Sequence, residues 1–260
     1  MMHRPLRLGA ASRAKLNFAV LALLAAPAVG QPTALAVKAA GEKTFYVNPR
    51  AGNSQVTVFS QSTLEDFTTV CNQVSGQWQV NPRALETLHG HFALRVDDMH
   101  TGIALRDHDL RGPEWFDAEH HPEIRIEVAK VEDVKKVDGN MATMKLVGTC
   151  SVHGRTNPIS IPCTLAYLDE SPETMILVKG DVIRIRAEFS LKLSEFGIQG
   201  PPGANAVGVK VADKQDVRVT VFGSTERPPE ALRTDTEPAT TPPMKVKPPE
   251  RPEAKQPPRR

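Results

Sequence analysis

From Ile183 to Leu193 every second residue is apolar: Ile183, Ile185, Ala187, Phe189, Leu191 and Leu193 alternate with Arg184, Arg186, Glu188, Ser190 and Lys192. Successive strand side chains point to opposite faces, whereas a helical face repeats about every 3.6 residues, so this run predicts a strand with one dry and one wet side. The pattern recurs. Leu88, Phe92, Leu94 and Val96 oppose His89, His91, Arg95 and Asp97; Ile124, Ile126 and Val128 oppose Arg125 and Glu127; Val217, Val219 and Val221 oppose Arg218 and Thr220. Two further alternating runs between Leu146 and Leu165 flank the turn-rich stretch His153 to Pro158, which predicts a hairpin, and Pro162 places the returning strand near an edge or a bulge. Helix is expected only as a turn or two at Arg106 to Leu110 and at Pro113 to Ala118. Strands dry on one side close into either a sandwich of two sheets or a barrel, and periodicity does not choose between them.

The two ends of the 260-residue chain do not share this pattern. Arg4, Arg7, Arg13 and Lys15 precede an apolar run from Phe18 to Ala26, the layout of a secretory signal peptide. It is assigned to residues 1–36, with cleavage after Gly30 or Ala36, and it predicts a periplasmic or secreted protein. From Arg227 the chain turns to Pro-Pro pairs among Glu, Thr, Lys and Arg, a composition that buries too little apolar surface to fold; residues 227–260 are expected to form a disordered tail open to envelope contact. One folded domain remains, residues 37–226. A formal net charge of +2 gives no reason to expect nucleic acid. The sequence leaves a homodimer open.

Thr101-Gly102, Arg106-Asp107, Leu110-Arg111, Trp115-Phe116-Asp117 and His121-Pro122-Glu123-Ile124 resemble the central motif of the YceI-like lipid- and polyisoprenoid-binding proteins. Gly148-Thr149-Cys150-Ser151-Val152-His153-Gly154-Arg155-Thr156 is similar to that family's hairpin, and Ser194-Glu195-Phe196-Gly197-Ile198 to its late strand and turn. The resemblance implies an all-β fold, an eight-stranded antiparallel lipocalin-like barrel with short helical connections, holding an isoprenoid or other amphiphile. It implies no catalytic centre and no cofactor beyond the bound lipid. The sequence departs from the pattern at Asn53, Ser62 and Asp109, where relatives often carry His.

If the barrel closes, Val58, Phe92, Leu94, Val96, Ile126, Val128, Leu146, Val152, Ile161, Leu165, Ile185, Phe189, Leu193 and Phe196 point inward, either as a lipid-binding wall or as filled core. Trp115 and Phe116 are candidates for a plug or gate at one end. Arg106 is expected either to pair with Asp107 or to meet an anionic head group. Folding the hairpin back on itself places Cys150 opposite Cys163, where a disulfide or two core thiols would result. The His89–His91 pair and His120–His121 read as solvated, and no metal site is assigned. The function expected is sequestration or transport of a polyisoprenoid, isoprenoid quinone or fatty-acid-like amphiphile. The alternatives are a metal-dependent hydrolase using surface histidines and a structural envelope protein with a filled barrel. No Gly-x-Ser-x-Gly elbow, His-Glu-x-x-His motif or phosphate loop supports catalysis.

Overall fold

The computed structural model describes residues 32–203 and 206–229. All but the last few residues of the expected signal peptide and the first few of the expected tail lie outside the described residues. Ten strands form one antiparallel sheet: β1 (Lys43–Val47), β2 (Gln55–Gln61), β3 (Asp66–Cys71), β4 (Val74–Asn81), β5 (Ala84–Arg95), β6 (Glu123–Asp138), β7 (Met141–Val152), β8 (Arg155–Leu168), β9 (Val182–Lys192) and β10 (Lys214–Ser224). Two short helices, α1 (Ala104–Arg111) and α2 (Pro172–Met175), interrupt them. The segment 113–118, expected as helix, forms turns instead, because the positive φ of Asp117 breaks the repeat.

The order β1-β4-β5-β6-β7-β8-β9-β10 returns to β1, so eight strands close a barrel. This is the closed alternative, in which each of the eight strands is paired on both sides over part of its length. β2 and β3 prolong β1 and β4 at one end. β10 pairs with β2 through residues Gln215 to Thr220 and with β1 through Gly223 and Ser224. Between these stretches residues 48–54 leave the ladder, and the backbone groups of Phe222 find other partners: its carbonyl accepts from Asn48 N at 3.1 Å and its amide donates to Ser54 Oγ at 3.0 Å. A closed barrel tolerates a broken strand when such groups are re-paired.

The β7–β8 turn is tighter than the sequence suggested. Val152 pairs with Arg155, so His153 and Gly154 alone make the turn, both with positive φ (50° and 70°). That is the geometry of a two-residue hairpin whose twist matches its strands. Thr156 to Pro158, read as loop, are strand. Pro158 and Pro162 both lie in the part of β8 that pairs with β7 only, since β8 meets β9 from Cys163 onward. A missing N–H is harmless there.

One half of the barrel is solid. Phe45 stacks on Trp78 (6.1 Å between centroids, 11° between planes) and meets Tyr167 edge-on at 5.7 Å, with Leu85, Leu88, Leu165 and Ile183 fully buried around them. Leu35 and Val37 belong to this cluster, and Leu35 N donates to Pro82 O at 2.9 Å. The folded unit therefore begins ahead of the boundary drawn at residue 37. Toward the other end the side chains thin out and a hollow opens.

Candidate functional site

The hollow is an apolar cavity of about 490 Å³, inside the roughly 300–1,000 Å³ range of small-molecule sites. Alternation along the strands builds its wall. Val56 and Val58 come from β2, Phe92 and Leu94 from β5, Ile124 and Ile126 from β6, Leu146, Cys150 and Val152 from β7, Ile161 from β8, Ile185, Phe189 and Leu191 from β9, and Val217, Val219 and Val221 from β10. Leu193 and Phe196, on the 3-10 turn that ends β9, add to it. The structural alternative of a barrel filled throughout by side chains does not describe this half of the molecule.

Of the inward-pointing residues expected from sequence, Val58, Phe92, Leu94, Ile126, Leu146, Val152, Ile161, Ile185, Phe189, Leu193 and Phe196 line the cavity. Three do not. Val128 and Leu165 face inward but lie deeper, in the packed half. Val96 leaves β5 for a 3-10 turn and packs with Cys71, Met99 and Leu110 under α1. Period-two alternation assigns a face but not a depth along the barrel axis.

The mouth is marked by residues that line the cavity and also meet solvent. Leu105 is 71% exposed and Ile103 50%, and the charged groups of the lining, Glu65, Arg106, Asp109 and Lys210, cluster at this end on the β2–β3 turn, α1 and the segment before β10. β3 parts from β5 here; its backbone bridges to the chain beyond at Val70–His100, and Cys71 packs against Leu110 of α1, which covers the gap. The Arg106–Asp107 pair expected from sequence does not form. Successive helical residues point apart, so Arg106 pairs instead with Glu65 and lies 4.5 Å over the Phe67 ring. Asp107 turns back to accept from Thr101 N and Oγ1, both at 2.6 Å. Trp115 and Phe116 are half-buried and both line the cavity; neither alone plugs it.

Of the two outcomes open for Cys150 and Cys163, a disulfide or two core thiols, the structure has the thiols, and the facing positions expected for them do not occur. With a turn of two residues the register places Cys150 opposite Asn157 and Cys163 opposite Met144, so the two cysteines do not face each other. Cys71, Cys150 and Cys163 are all free and buried. Burial pushes the Cys150 thiol up to about 11 and the Cys163 thiol up to about 12, which keeps both protonated and inert at neutral pH.

One polar cluster sits behind the cavity wall. Among the described residues, Asp117, His121 and His153 form a group of three potential donors whose ligating atoms all lie within 4.8 Å of one another. The two imidazoles meet edge to face at 5.3 Å between centroids. His120 donates from Nδ1 to the Asp117 carboxylate (2.9 and 3.0 Å), a contact that holds Asp117 below its ordinary range and His120 above its own. His121 and His153 are distant in sequence, and reading each alone as a loop polar residue missed their approach. His89, by contrast, is exposed on β5 and donates from Nδ1 to Thr87 O at 2.8 Å.

A YceI-like domain model matches residues 45–222. Among solved structures, the chain is similar to BcnA of Burkholderia cenocepacia (TM-score 0.52, 16% identity, covering 65% of this chain and 95% of that one). It is also similar to a YCEI protein of Campylobacter jejuni (TM-score 0.52, 15% identity, 64% and 90% covered). No curated protein matches the sequence. Because the matched residues run from within β1 to within β10 and cover well over half of the chain, the chain belongs to the YceI-like family.

Proposed function

We propose that the barrel takes up an amphiphile with a long apolar chain, a polyisoprenoid, isoprenoid quinone or fatty-acid-like molecule, as a carrier or store in the periplasm or outside the cell. The observation that supports this most directly is the 490 Å³ cavity with an almost wholly apolar wall, open where its few charged groups gather. The chain lies among Val58, Ile126, Ile185 and Phe189, and the head group stays at the mouth beside Arg106 and Lys210. Each methylene taken from water contributes about 0.8 kcal/mol, so chain burial supplies the affinity and no catalytic residue or cofactor is invoked.

Titration with a homologous series of fluorescent alkyl and prenyl amphiphiles tests the proposal. Affinity should climb with chain length and then level off when the cavity is full. Phe189→Arg, which puts a charge on the wall, should abolish uptake while the far-ultraviolet spectrum of the barrel is retained. Affinity that ignores chain length, or uptake that survives Phe189→Arg, overturns it.

A further inference from the structure

We propose that Asp117, His121 and His153 form a binding site for a divalent transition-metal ion of the zinc class. Two imidazoles and one carboxylate are the donor set that such borderline ions prefer over magnesium or calcium, and three protein ligands leave a fourth position for water or another ligand. The three donors come from two separate stretches of chain. Asp117 and His121 sit one turn apart in the loop after α1, where His121 N donates to Asp117 O at 2.7 Å. His153 reaches them from the β7–β8 turn. Their ligating atoms, within 4.8 Å of one another, need only small rotamer adjustments to reach the roughly 3.4 Å spacing that tetrahedral bonds of about 2.0–2.1 Å require.

The surroundings match what metal ligands need. His153 Nδ1 donates to Phe196 O at 3.4 Å, which leaves Nε2 with its lone pair. A ligating histidine is commonly oriented by such a bond from its other nitrogen. His120 takes the part of the outer partner to the Asp117 carboxylate, its Nδ1 reaching both oxygens, each of which keeps a further lone pair for an ion. The His121 ring lies against Gly154, where a Cβ would come within 2.7 Å of it, so the turn glycine makes room for the imidazole. All three residues are half-buried, which limits competition from bulk water without closing the approach.

The site has a position in the fold as well as a chemistry. Phe116, one residue before Asp117, lines the cavity, as does Phe196, whose carbonyl orients His153. A bound ion therefore ties the loop that carries Trp115 and Phe116 to the β7–β8 turn, at the back of the wall.

The test uses the full chain, stripped with chelator and titrated calorimetrically with zinc alone. One equivalent of zinc should bind, and cobalt in its place should give the intense visible bands of a four-coordinate ion. His121→Gln, Asp117→Asn and His153→Asn should each weaken zinc binding about tenfold or more, with His89→Gln unchanged; Asn at 153 tolerates the left-handed backbone there. A readout on the unmutated protein guards against misfolded variants: zinc should shift the imidazole proton signals of His121 and His153 and leave that of His89 in place. Zinc that fails to bind, binds the triple variant as well as the parent, or leaves those two signals unmoved overturns the proposal.

Discussion

Gly223 on β10 lies so close to Trp78 on β4 that a Cβ built on the glycine would sit 2.3 Å from the indole ring. The indole occupies the floor between the packed half of the barrel and the hollow half, with Phe45 stacked on one side and Phe92, a wall residue, tilted against it at 5.1 Å. How far the cavity extends is thus set by a large side chain that only a glycine neighbour admits.

Gly223→Ala should overpack this floor and destabilise the protein by about 1–3 kcal/mol, read as a lower urea midpoint at unchanged slope. Trp78→Ala should destabilise it by about 3–5 kcal/mol and lengthen the hollow, so that longer chains bind before affinity levels off. Stability unchanged by Gly223→Ala would mean that the ring does not rest where it is placed.

Acid should loosen the mouth through Asp107. Burial alone would push its carboxyl up, but the two hydrogen bonds from Thr101 and the nearby His100 outweigh it and hold the group below the ordinary aspartate range. A carboxyl lowered in the folded state contributes stability that is fully present above the unfolded value of about 3.9 and is lost as pH falls through the lower folded value. Urea midpoints of the parent should therefore fall more steeply below about pH 4 than those of Asp107→Asn. Parallel curves would contradict this role.

Thiol chemistry offers an independent check on the register of β7 and β8. Three free, buried and protonated cysteines should react slowly with iodoacetamide at neutral pH in the folded protein and rapidly in urea. Intact mass after mild oxidation should show no loss of two hydrogens. A Cys150–Cys163 crosslink would require a hairpin register six residues away from the one observed, in which Cys150 faces Asn157.

Face was legible in the sequence and depth was not. Ile161 and Leu165 share one face of β8, yet Ile161 meets the cavity and Leu165 the packed floor, because four residues along the strand separate them. Closure into eight strands came from family resemblance, since β1 to β4 are short and broken and give weak alternation of their own. The His153–Gly154 pair carried a two-residue turn signal; given its full weight, it would have corrected the cysteine register. The approach of His121 to His153 depends on how the loop after α1 packs against a distant hairpin, and nothing local in either segment encodes it. Leu35, which lies between the two cleavage positions considered, illustrates the same limit: its burial arises from the barrel end it caps.

The central claim is that the hollow half of this barrel holds a greasy chain, and the most direct measurement is organic extraction followed by mass spectrometry of protein purified without detergent from its native host. A long-chain isoprenoid or acyl amphiphile at close to one per protein chain, missing from Phe189→Arg prepared alongside, is the predicted result. Extracts with no such molecule, from a protein that also refuses added chains, would contradict it.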